Sequence, residues 1–242
     1  MRRPPPSPVN YSFGPGAITP AVRALIIANV ATFVITYAFP EVMVDLFGLS
    51  PRAVLTEGRV WQLGTHVFLH DPGGFGHILF NMLALWMFGV ELERRWGTRG
   101  FMWYFLITGI GAGFVTVLVS LLPFTATRAV FYASTIGASG AIYALLMAWA
   151  LLFPHRQILF MLIFPLPARA VAAILGAIAF FSAVGGRNSG VAEFTHLGGL
   201  LIGWLYLKGP TNLKLELKYR ITKWRMDRMR RKFDVHKGGR VH

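Results

Sequence analysis

A helix needs about 20 predominantly apolar residues to cross the hydrocarbon core of a bilayer. This chain offers six stretches that meet or approach that length, at roughly 21–39, 77–93, 100–122, 138–153, 168–184 and 191–207. The 242 residues are 55% apolar and only 14% charged, well below the roughly 25% charged residues of a soluble domain. Too little polar material is left to clothe a water-soluble core of this size. The prediction is an all-α membrane protein of six transmembrane helices. Cysteine is absent, which removes disulfides and zinc–thiolate centres.

The flanks read differently. Residues 1–20 are rich in Pro, Gly and Ser and lack apolar runs, so a disordered arm is expected. The first apolar run follows it without a small-residue cleavage site, and reads as a retained span. The membrane domain covers 21–208, and a basic tail covers 209–242. One apolar piece, 158–167, is too short to span, and Pro165 and Pro167 interrupt any helix through it. It is expected to extend the fifth span or to lie shallowly before it. The loop 40–76, between the first two spans, is long, apolar and sparsely charged, and is expected partly in the membrane interface.

Sidedness follows from Lys and Arg. With the N-terminus inside, inner segments hold 20 of the 24, and the outer loops hold only Arg52, Arg59, Arg128 and Arg187. The positive-inside rule puts both termini in the cytoplasm. From Lys208 onward the chain carries 12 basic and three acidic residues, more than half of the net charge of +14. Leu217, Ile221 and Trp224 recur there at helical spacing. An interfacial helix on anionic lipid and a solvated tail both fit. Nucleic acid is not expected as a partner, because no base-stacking motif accompanies the charge.

Polar side chains inside spans are costly and mark candidate sites. Under this topology the second, fourth and sixth helices all start at the outer face. His77 and Asn81 lie in the first turns of the second, in HILFN. Ser139 starts the fourth, in GASGAIY. His196 lies one to two turns into the sixth, in EFTHLGG. Topology alone sets these four residues at similar depth. A serine hydroxyl becomes nucleophilic when a neighbouring base takes its proton, and an imidazole, which titrates near neutrality, suits that task. His77 and Asn81 are i and i+4 on one helix face, and both can donate to an oxyanion. Ser139 sits where helix N–H groups are unpaired. Gly137 and Gly140 permit close backbone approach. Tyr143 is placed to pack its ring on His196. Glu193 is one turn before His196, in reach to orient it, but is expected at the outer rim facing water.

At these residues the sequence resembles the rhomboid family of intramembrane serine proteases. GASG with Tyr143, HILFN and THLGG occur in the family's order, and the resemblance covers roughly 20–208. It implies a rhomboid-like six-transmembrane-helix bundle with a long outer loop between helices 1 and 2. It implies Ser139 as nucleophile and His196 as general base. His77, Asn81 and the serine N–H would bind the oxyanion, and Tyr143 would stack on the dyad histidine. Substrates would be single-span membrane proteins, unwound near the cut and entering beside helix five. WQLGTHVFLH resembles the family's first outer loop, with Gln62 where Arg is frequent. Thr195 stands where Ala is usual. In GVELERRWG, Glu91 would be structural.

Gly109 with Gly113, and Gly199 with Gly203, are GxxxG pairs that favour close helix contact; the second would draw the sixth helix onto the fourth. His66, His70 and His77 raise the question of a metal. No carboxylate is placed with them at a metal-ligand spacing and no HExxH occurs, so no metal and no cofactor is expected, and His66 and His70 are assigned to loop structure. The segment GGRNSG, 185–190, has the glycines of a mobile cap. The competing function is a catalytically silent relative that binds membrane clients; such members usually lack the Ser or the His, and both are present. A transporter would call for central charges or an inverted repeat, and the sequence has neither. Small size and the lack of a targeting segment favour the bacterial inner membrane.

Overall fold

The structure is a computed structural model. It describes residues 14–160, 163–185 and 190–209, with 222–224, 226 and 228. The arm up to residue 13, nearly all of the basic tail, and 186–189 of the expected cap lie outside the described residues.

Prolines punctuate the chain. Pro20 opens α1 (Pro20–Ala38), Pro40 opens α2 (Pro40–Phe47) and Pro51 opens α3 (Pro51–Thr56). At a first helical position proline loses no hydrogen bond, because its N–H would be unpaired there. The Ser50 hydroxyl also caps α3 by accepting from the N–H of Ala53. A short α4 (Gln62–Thr65) and a 3₁₀ turn (His66–Phe68) follow. The loop between the first two apolar helices is therefore folded into short helices, not irregular. Next comes α5 (Phe75–Ser120), broken at Gly97, whose φ of 73° and ψ of 162° reverse the chain. Its two arms, 75–96 and 98–120, match the second and third apolar stretches. A short α6 (Thr125–Tyr132) precedes α7 (Ser139–Leu152). Then come β1 (Gln157–Phe160), β2 (Phe164–Pro167), α8 (Ala168–Val184) and α9 (Gly190–Lys208).

The piece 158–167 corrects one of its two expected forms, the helical extension of the fifth span. It forms an antiparallel hairpin, with Gln157 opposite Pro167 and Phe160 opposite Phe164, and does not extend α8. The prolines explain this, because the strand that holds Pro165 and Pro167 can do without their N–H groups only at a sheet edge. Among the described residues two helices are long and apolar enough to cross a membrane, Pro20–Ala38 and Phe75–Ser120; Ser139–Leu152 and Ala168–Val184 are shorter apolar helices.

The first arm of α5, α7 and α9 begin at one end of the molecule. His77, Ser139 and His196 meet there. At the other end Arg156, just past α7, pairs with Glu91 at 2.8 Å, and the Tyr104 ring packs against Trp96 at a tilt and against Tyr206 edge to face. The interior is filled by Phe101, Phe105, Leu85 and Leu145. The Tyr104 hydroxyl donates to the carbonyl of Ala144 at 2.7 Å. Outward faces carry Ile27, Val34, Phe80, Phe114, Ile178 and Phe181, all exposed. Buried Thr36, Thr108 and Thr116 bond carbonyls one turn back on their own helices.

Residues 14–19, the described part of the expected arm, are tied to α5. Arg94 donates to the carbonyl of Pro15 at 2.6 Å, and the Trp86 indole donates to that of Gly16 at 3.2 Å. The carboxylate of Glu93 accepts from the N–H groups of Ala21 and Val22 and from Thr98. It is Glu93, 3% exposed, that closes this joint, whereas Glu91 holds the surface pair with Arg156.

Candidate active site

Three helix starts converge on one point. The turn before α7 is pinned from two sides. Leu49 and Thr135 exchange backbone hydrogen bonds of 2.9 and 2.8 Å, and the N–H of Gly137 donates to the carbonyl of His66 at 2.9 Å. Gly137 takes φ = +126°, a conformation that L side chains rarely adopt. A Cβ there would also lie 2.9 Å from Nε2 of His77. The same point is 3.7 Å from Oγ of Ser139, so His77 and Ser139 flank the backbone of Gly137.

Ser139 is the first residue of α7. A transmembrane serine commonly bonds a carbonyl of its own helix; here its Oγ lies 2.8 Å from Nε2 of His196, across 57 residues of chain. The ring of Tyr143 stacks on that of His196, with centroids 4.3 Å apart and planes within 1°. Asn81 is almost buried, and one of its amide hydrogens goes to the carbonyl of His77 at 2.9 Å. Among the described residues the other has no acceptor. These residues line a cavity of about 440 Å³ with apolar walls from Phe80, Ile136 and Ile142.

Small residues bring α9 this close. A Cβ on Gly199 would fall 2.0 Å from the carbonyl oxygen of Gly140, and one on Gly203 would be 3.0 Å from Cα of Ala144. In the Gly109/Gly113 pair, Gly109 faces both Ala141 on α7 and Val67 of the outer loop, and Gly113 faces the His66 ring.

The structure answers the two departures from the family pattern. Gln62 is fully buried. Its amide donates to the carbonyl of Asp45 at 2.9 Å, and its oxygen accepts from the N–H of Ser50 at 3.1 Å. An uncharged side chain thus braces the loop. The hydroxyl of Thr195 pairs with that of Thr116 on α5 at 2.8 Å, so the extra oxygen is satisfied, at a value of roughly 0.6 kcal/mol for such a contact in a membrane.

His66 and His70 stay in the loop. His66 donates from Nδ1 to the carbonyl of Gln62 at 2.9 Å, and burial pushes its pKa down to about 4. His70 is buried, and among the described residues neither of its ring nitrogens has a partner of good hydrogen-bond geometry. Burial, then the neighbouring His77 ring 5.1 Å away, push its pKa down to about 4. Among the described residues no group of three His, Asp or Glu side chains is placed to hold a metal ion.

One expectation is overturned. Glu193 does not face water at the rim. Its Oε2 is 3.0 Å from Nδ1 of His196, and both side chains are mostly covered. The i, i+3 spacing was the signal, and it reads equally well as an ordinary helix surface.

The family model for the rhomboid domain matches residues 57–209. The chain is 35% identical over 133 residues to Rhomboid protein 1, mitochondrial, of Saccharomyces cerevisiae, covering 54% of this chain and 37% of that protein. It is 31% identical over 158 residues to Rhomboid protease GluP of Bacillus subtilis, covering 65% of this chain and 27% of that one. With Rhomboid protease AarA of Providencia stuartii it shares 27% identity over 235 residues, 86% of this chain and 79% of that one. The chain thus spans about a third of the length of the first two relatives and most of the third. The match over 57–209 takes in both helix ends of the Ser139–His196 pair, and the chain belongs to the rhomboid family, whose members are integral membrane proteins.

Proposed function

We propose that this protein is an intramembrane serine endopeptidase that cuts single-span membrane proteins in or beside the bilayer. The observation that carries the reading is the 2.8 Å approach of the Ser139 hydroxyl to Nε2 of His196 at the shared start of three helices. As Oγ attacks the scissile carbonyl carbon, its proton passes to Nε2. The oxyanion is met by the N–H of Ser139, by His77 and by the other amide N–H of Asn81. The intermediate collapses, and the departing amine takes the proton from Nε2. Water then releases the acyl group by the same steps in reverse order of roles. Tyr143 keeps the imidazole in plane, and Gly137, Gly140, Gly199 and Gly203 set the helix distances.

The membrane arrangement belongs to the same proposal. Six spans place the site below the outer face, with both termini in the cytoplasm of a bacterium and the basic tail at the inner leaflet, on anionic lipid. The inner excess of Lys and Arg supports this sidedness, and the exposed apolar side chains on the helices support burial in lipid. The apolar cavity walls suit an unwound transmembrane segment.

The test is a fluorophosphonate probe on the purified chain. Labelling is expected in wild type, absent in Ser139→Ala and at least about tenfold slower in His196→Ala. Equal labelling of wild type and Ser139→Ala removes the nucleophile.

A further inference from the structure

The proton path above uses only one nitrogen of His196. The fold gives the other nitrogen a partner as well. Glu193 lies one turn earlier on α9, and its Oε2 is 3.0 Å from Nδ1. The two side chains are 19% and 16% exposed, so the contact is largely shielded from water. No Lys or Arg among the described residues pairs with Glu193.

The geometry has a chemical consequence. A carboxylate can only accept a hydrogen bond. Nδ1 must then carry the ring proton, and Nε2 is left with the lone pair that Ser139 requires. The tautomer is set by the bond that the other nitrogen makes. Three contacts now hold the ring: the carboxylate on one edge, the hydroxyl on the other, and Tyr143 on a face.

We propose that Glu193 is a positioning residue that turns the Ser139–His196 pair into a Ser139–His196–Glu193 triad. It fixes the tautomer of the free imidazole and stabilises the imidazolium formed when Nε2 takes the serine proton. The proton count is unchanged. One proton travels from Oγ to Nε2 and on to the leaving amine, while the Nδ1 proton stays on the ring and Glu193 stays a carboxylate, as in other triads. The contact lies within one helix, so i, i+3 spacing alone brings acid and base together. This inference rests on the hydrolase reading.

The experiment uses the full chain in detergent and a fluorophosphonate probe, with the limiting labelling rate and the probe's half-saturating concentration measured separately. Glu193→Gln keeps shape and an accepting oxygen but loses the charge. It is expected to lower the limiting rate at least about tenfold, with half-saturation within about twofold and Tm unchanged. Glu193→Asp should recover more of the rate than Glu193→Gln. A Glu193→Gln rate within twofold of wild type overturns the triad and leaves the hydrolase reading intact. So does a loss of rate that tracks a fall in Tm across the Gln and Asp variants, because that marks a structural role. A wild-type chain that the probe never labels overturns the hydrolase reading itself.

Discussion

The site is decided at single positions where two demands coincide. Gly137 must adopt φ = +126° and must leave room for the His77 ring, 2.9 Å from where a Cβ would stand. Either demand alone favours glycine, and together they make the position intolerant. Gly137→Ala is therefore expected to push His77 away from Ser139 while adding about 1–3 kcal/mol of backbone strain. The measurable outcome is a drop of at least about tenfold in fluorophosphonate labelling; labelling within twofold of wild type would show that the His77 ring can yield without cost. Ser139, His196, His77 and Asn81 were legible in the sequence, because polar groups inside apolar runs stand out and topology sets their depth. Tyr143 was legible from its i+4 spacing to Ser139. The contact of Glu193 with His196 was not. A carboxylate at the end of a span reads as a water-facing rim residue until the side-chain direction is known. Likewise the sequence stressed Glu91, while the buried acceptor for the start of α1 is Glu93; the two differ by 160 to 200° around the helix, and only packing tells which face is inside.

At the scale of elements, helix contacts carry the geometry and small residues carry the contacts. The Gly199–Gly140 approach is the tightest place where α9 meets α7, with a would-be Cβ 2.0 Å from a backbone oxygen that cannot rotate away. At Gly203 the nearest atom is the Tyr104 hydroxyl at 2.9 Å, followed by Ala144. Gly199→Ala should therefore separate the helices and cost about 1–3 kcal/mol, lowering Tm and labelling together. Gly203→Ala should do less of both. A Gly199→Ala protein with wild-type Tm and labelling rate would mean that α9 slides freely on α7. The six apolar stretches were legible because length and hydropathy suffice to find them. The hairpin at 157–167 was not. Its strands lack polar–apolar alternation, so the sequence could exclude a helix at Pro165 and Pro167 without naming the alternative. The folded outer loop was equally hidden, since α3 and α4 are too short for a periodic signal, although Pro40 and Pro51 mark helix starts after the fact. The two GxxxG pairs look alike in sequence, but Gly199 and Gly203 meet α7, whereas Gly113 meets the outer loop and Gly109 meets both.

For the molecule as a whole, the loop and the site form one mechanical unit. Gln62, His66 and His70 are all buried at 1% exposure or less. The carbonyl of His66 holds Gly137, and Leu49 holds Thr135. Whatever loosens the loop therefore loosens the turn that presents Ser139. Protons are one such agent. Both imidazoles are held near a pKa of about 4 by burial, against roughly 6.5 in an unfolded chain. Between those values the unfolded chain binds more protons than the folded one, so stability rises with pH through the window. It is fully present above about pH 6.5 and is lost as pH falls toward 4. At pH 5 the two groups together should remove on the order of 2–4 kcal/mol, which for a chain of this size corresponds to about 5–10 °C in Tm. Thermal unfolding in one detergent at pH 7.5 and pH 5 measures this directly. Glutamine has no such titration, so His70→Gln should shrink the acid-induced drop by about half, and the part that survives belongs to His66. A Tm that is equal at the two pH values would mean that both rings are reached by water, and that the loop is not clamped over the start of α7.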